Sequence, residues 1–88
     1  MLEKVLERRL VEGAKRCGGV ALKWVSPGTV GVPDRIVFLP GGRVVFVEVK
    51  APGKWLTPIQ EHVATKLSAL GAEVRCISSF EELNEFLS

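Results

Sequence analysis

The run RVVFVEVK, Arg43 to Lys50, constrains this chain more than any other segment. Successive side chains of a strand point to opposite faces, so Val44, Phe46, Glu48 and Lys50 share one side and Val45, Val47 and Val49 the other. A Glu and a Lys therefore interrupt an otherwise apolar face. A second β-rich run, Asp34 to Leu39, precedes it across Pro40, Gly41 and Gly42, which signals a hairpin.

The remaining elements follow from periodicity and punctuation. Leu2, Leu6, Leu10, Ala14 and Cys17 recur at helical spacing until Gly18 and Gly19 stop the pattern, which predicts a first amphipathic helix. Val20 to Val25 reads as a strand, and SPGTVGVP (Ser26 to Pro33) as a loop. After the loop Ala51 to Leu56, Thr57, Pro58 and Gln60 form a capping-box helix start, and Ile59, Val63, Leu67 and Leu70 supply a stripe expected to be buried. Glu73 to Ser78 is a last strand and Phe80 to Leu87 a short acidic helix. The order α-β-β-β-α-β-α is that of a mixed α/β layer fold.

At 88 residues there is room for one small domain with a thin core, so a second subunit is expected to add burial. No apolar run reaches the roughly 18 to 20 residues of a membrane span, and a charged N-terminal segment is unlike a signal peptide, which predicts a cytoplasmic protein. Cys17 and Cys76 stand far apart and away from the lone His62, which argues against zinc and against a triad. Residues 1 to 60 hold ten Lys or Arg against five acids, and residues 61 to 88 two against five. Such segregation suits a face presented to a polyanion, and equally an ordinary solvated surface.

The acids carry the chemistry. If Pro40, Gly41 and Gly42 form the turn, Leu39 pairs with Arg43 and Asp34 falls opposite Glu48, with Cβ atoms about 5 Å apart. A two-residue turn at Gly41 and Gly42 would instead set Arg35 against Glu48 as an ordinary ion pair, and apolar patterning on both faces leaves the register open. In the first case a divalent cation resolves the repulsion: two carboxylates, a backbone carbonyl and waters suit Mg²⁺ or Mn²⁺. Such an ion acidifies water and stabilises charge on a phosphoryl oxygen, while Lys50 orients water or neutralises charge, which is the chemistry of phosphodiester hydrolysis. On the first helix Glu3 falls inside the apolar stripe and Glu7 on its rim; either is a solvated acid near a helix N-terminus or an acid aimed at a site beneath the helix.

The run GVPDRIVFLPGGRVVFVEVKAPG, Gly31 to Gly53, resembles the virus-type replication-repair nuclease domain, VRR-NUC, a branch of the PD-(D/E)xK nuclease superfamily. Pro33 and Asp34 stand at its PD element, and Glu48, Val49 and Lys50 at its (D/E)xK element. The likeness extends to Gly18, Gly19 and Lys23, to Gln60 and to LGAEV (Leu70 to Val74), so it covers nearly the whole chain as one domain, residues 1 to 88.

The resemblance implies a restriction-endonuclease-like core with a mixed central sheet and a metal-dependent DNA endonuclease using Mg²⁺ or Mn²⁺. Asp34 and Glu48 would be metal ligands with the Val49 carbonyl, Lys50 the catalytic lysine, and Glu7, in preference to Glu3, a further metal or water ligand. Gln60 is either catalytic or simply the partner of Thr57 in the cap. Lys23, Arg35 and Lys54 are candidates for phosphate contact, against a reading as solvated charges. Trp55 either packs on DNA or a second subunit, or covers a small core; Trp24 is expected in the core. Standalone members of the family resemble symmetric dimers acting on branched DNA such as four-way (Holliday) junctions, which implies a homodimer in phage or mobile-element replication or DNA repair, with no membrane and no nucleotide cofactor. The competing readings are a flap- or nick-directed nuclease, a catalytically idle DNA-binding module and a structural interaction domain.

Overall fold

The computed structural model describes residues 2–88. Its elements are α1 (Leu2–Arg16), β1 (Val20–Lys23), β2 (Arg35–Leu39), β3 (Arg43–Val49), α2 (Pro58–Ala69), β4 (Glu73–Ile77) and α3 (Phe80–Leu87). The order α-β-β-β-α-β-α is the expected one. The four strands form one sheet in the order β1-β2-β3-β4, with β1, β2 and β3 antiparallel and β4 parallel to β3. The parallel pair needs a crossover, which α2 provides.

Three turn residues set the register of the central hairpin. Gly41 and Gly42 both adopt positive φ, 86° and 81°, a region that disfavours residues with a Cβ. With Pro40 they complete a three-residue turn, Leu39 pairs with Arg43, and the ladder runs back to Arg35 opposite Val47. The two-residue alternative, with Arg35 opposite Glu48, is excluded.

Parity then assigns the faces. Val37, Val45, Val47, Val49 and Ile77 turn to one side, where Leu6, Leu10 and Ala14 of α1 and Leu83 and Phe86 of α3 complete the core. Of the predicted stripe of α1, Leu6, Leu10 and Ala14 are buried, while Leu2 and Cys17 at its ends are exposed; Ser79 caps α3 by accepting from the Glu82 N–H.

The other face is covered less completely. α2 packs against β4, and of its expected buried stripe only Val63 is buried; Leu67 is half-buried, Ile59 exposed, and Leu70 79% exposed. Periodicity tells which way a helix face points, whereas burial needs a partner surface of matching extent, and here that surface is narrow. Val20, Phe38 and Val44, paired in one row across β1, β2 and β3, are exposed on this side. Trp24, expected in the core, is half-buried, with its ring 5.3 Å from that of Phe46. No helix among the described residues is long and apolar enough to cross a membrane.

Candidate active site

The site forms where β2 and β3 part. The ladder ends at the Arg35–Val47 pair; extending its register one step brings Asp34 across from Glu48, and a second step Pro33 across from Val49. Strand parity aims the Val49 N–H and C=O toward β2, because the neighbouring Lys50 N–H donates the other way, to the Ile77 carbonyl at 2.9 Å. Proline has no N–H for the Val49 carbonyl, so the ladder cannot close there. The Val49 N–H donates instead to Asp34 Oδ2 at 3.1 Å. Asp34 is itself tethered on the β1 side, where its carbonyl accepts from the Trp24 N–H at 3.0 Å.

Glu48 is 4% exposed and the one buried charged residue among the described residues. Its Oε2 accepts from Gln60 Nε2 at 3.1 Å and lies 3.8 Å from Lys50 Nζ. Its Oε1 is buried with no hydrogen-bond partner. Burial first, and then the neighbouring Asp34 charge, push the Glu48 carboxyl up to about 7, with Lys50 pulling the other way. A buried acceptor left unpaired costs about 1–3 kcal/mol, more when charged, so beside Asp34 this carboxyl is satisfied by a shared proton or by a cation.

Gln60 serves two masters through the two ends of one amide. Its Oε1 accepts from the Thr57 N–H at 3.0 Å, and its own N–H donates to Thr57 Oγ1 at 3.4 Å, completing the capping box. Because the Thr57 N–H requires an oxygen, the NH₂ must face Glu48. The helix cap and the buried acid are therefore joined in one hydrogen-bond network.

Not every candidate joins this group. Arg35 has the parity of Val37 and so lies on the α1 side of the sheet, where its Nε donates to Glu7 Oε2 at 2.8 Å and its Nη1 to the Ala21 carbonyl at 3.3 Å. Glu48, with the parity of Phe46, faces α2. Glu7, expected as a further ligand, is thus paired with Arg35 rather than brought to the two acids, and Arg35 is engaged there too. Lys23, paired with Arg35 across β1 and β2, is exposed on the α1 side, as is Glu3 on α1. Lys54 is exposed on the loop after β3, its N–H donating to the Ala51 carbonyl at 3.0 Å. Among the described residues no three His, Cys, Asp or Glu side chains gather as a metal cluster. What remains is two facing carboxylates and a strand carbonyl, which suits Mg²⁺ or Mn²⁺, ions that keep several waters and take few protein ligands.

Two neighbours, Gly31 and Cys76, were given no place at the site by sequence. Gly31, at φ 92°, lies so close to α2 that a Cβ would come 2.9 Å from the Ile59 carbonyl, which seats the loop carrying Pro33 and Asp34 on the start of α2. Cys76 pairs with Glu48 across β3 and β4, and burial and the nearby Glu48 push its thiol up to about 11. Only the parallel docking of β4 reveals that neighbour. Trp55 does not cover a core: it is 63% exposed, at the mouth of a groove between α2 and β4 that Glu48 and Gln60 also line.

No family model matches the chain. A protein named "Putative nuclease p44", from Acyrthosiphon pisum secondary endosymbiont phage 1, is 46% identical over 85 residues, 97% of this chain and 90% of that protein. A solved structure described as "VRR_NUC domain" is similar at a TM-score of 0.91 and 29% identity, over 97% of this chain and 92% of that one.

Proposed function

The chain belongs to the VRR-NUC nuclease family, and on that footing we propose that it is an endonuclease hydrolysing DNA phosphodiester bonds with Mg²⁺ or Mn²⁺ held by Asp34, Glu48 and the Val49 carbonyl. The observation that carries this reading is the buried, unpartnered Oε1 of Glu48 opposite Asp34. When bound, such an ion would supply acidified water and charge neutralisation at the phosphoryl oxygen.

The chain's own residues do the positioning. Gln60 holds Oε2 of Glu48 and leaves Oε1 for a ligand. Asp34, held through Oδ2 by the Val49 N–H, keeps its other oxygen for the site. Lys50, its ammonium close to Glu48 and only partly exposed, is the cation that orients the attacking water or meets the charge developing on phosphate. A role for the Lys23 and Lys54 side chains in phosphate contact rests on their exposure at a strand end and a loop. A purely DNA-binding module is disfavoured, because binding a polyanion gives no reason to bury Glu48 beside a second acid.

The substrate we assign is branched DNA, four-way junctions included, cut by a two-fold dimer with one site for each of two strands. The exposed apolar row Val20, Phe38 and Val44 offers a second copy a surface to cover. The phage origin of the relative supports a role in phage or mobile-element DNA metabolism inside a host cell. The test is incubation of the purified protein with labelled duplex, flap and four-way junction DNA, with Mg²⁺, Mn²⁺ or EDTA, alongside light scattering. Metal-dependent cutting of the junction ahead of linear duplex by a dimer supports the proposal; metal-independent cutting, or equal cutting by a monomer, contradicts it.

A further inference from the structure

The geometry points to a site for an unpaired nucleobase in the groove between α2 and β4, with Trp55 as its stacking platform. The inference rests on the nuclease reading and deepens it, by naming what the enzyme recognises in a branched substrate.

The groove, about 340 Å³, lies at the small end of the range of ligand pockets, about 300–1,000 Å³. At one end it opens on Glu48 and Gln60, and from there it runs between Ala64 and Ser68 of α2 and Val74 and Cys76 of β4. The surface along it is mostly apolar, with Glu61, Thr65 and Arg75 also bordering it. Trp55 stands at its mouth, mostly exposed, so the fold gains little from burying its indole.

A phosphate held beside Glu48 can deliver into this groove only what is covalently attached to it, a sugar or a base. A base stacked and paired in a duplex cannot enter, whereas one freed at a branch point can. A flat, largely apolar ring is what mostly apolar walls and an exposed indole accept, and stacking on an aromatic tolerates any base. A second copy of the chain seated in the same groove would cover Glu48 and Gln60 and close the site, so the observations favour the base.

The experiment measures binding of a four-way junction in EDTA, where nothing is cut, with single abasic sites placed in turn at each nucleotide around the branch. At one position the abasic site should weaken wild-type binding by about 5- to 150-fold, the range of base–aromatic stacking on truncation. Trp55→Ala should lose a similar factor on the intact junction and nothing further on that abasic junction, while Trp55→Phe retains most of the affinity. Ala64→Leu, which fills the groove, should behave as Trp55→Ala does. Loss of affinity by Trp55→Ala that is the same on every junction, or accompanied by conversion of a dimer to a monomer, would overturn the inference, as would failure to bind junction DNA. Binding coupled to Trp55 without cutting in Mn²⁺ would refute the nuclease reading alone; cutting without the coupling would refute the base site alone.

Discussion

Gln60 donates to Glu48 at 3.1 Å while the other end of the same amide receives the Thr57 N–H that opens α2. The helix start is thus wired to the buried acid, and the two functions separate by mutation. Thr57→Ala should cost about 1 kcal/mol of stability, the usual value of an N-cap side chain, and leave cleavage within about three-fold. Gln60→Ala should cost a similar amount and lower cleavage at least about ten-fold, because Glu48 loses the donor that fixes Oε2. Denaturant titrations paired with cleavage rates on both variants check this; equal losses of activity would reduce Gln60 to a cap.

Stability of the metal-free protein should fall as pH rises. The Glu48 carboxyl titrates near 7 in the folded chain against an ordinary 4.5. Between those values the native state holds a proton that the unfolded state has released, so the contribution is fully present below about 4.5 and is lost as pH climbs through about 7. Its size is at most about 3 kcal/mol, because each pH unit separating the folded and unfolded values is worth about 1.4 kcal/mol. Melting in EDTA between pH 4.5 and 8 should show the decline, and Glu48→Gln should flatten it.

Metal should reverse that trend. Mn²⁺ bound to the folded state alone raises stability by RT ln(1 + [L]/Kd), about 2.7 kcal/mol at a hundredfold excess over Kd. Asp34→Ala should abolish the rise in melting temperature. Glu7→Gln should keep it and cost about 1 kcal/mol or less, since Glu7 is held by Arg35 in a partly exposed pair. Loss of the metal shift in Glu7→Gln would return that residue to the metal site.

What the sequence made legible, and what it did not, divides along physical lines. Local signals held: the capping box at Thr57 and Gln60 and the whole of α3 from Ser79 onward depend on neighbours within four residues. The facing of Asp34 and Glu48 hung on whether Pro40 belongs to the turn, a choice of one residue that patterning on a two-sided apolar hairpin cannot make. Glu7 could be placed on a helix rim but not on a side of the sheet, because that depends on which face α1 covers. Cys76 beside Glu48, and the exposure of Leu70, both follow from how α2 and β4 dock, long-range facts that no local period records.

Whether Asp34, Glu48 and Lys50 form the hydrolytic centre is tested most directly by cleavage of a labelled four-way junction in Mn²⁺ by wild type, Glu48→Gln and Lys50→Ala, each first shown to be folded and to bind the junction in EDTA. Both variants should lose cleavage by at least about a hundredfold while retaining binding, since Glu48→Gln weakens the hold on the metal ion and Lys50→Ala removes the cation beside the developing charge, and neither takes away the DNA-contacting surface. Wild-type rates from either variant would contradict that assignment.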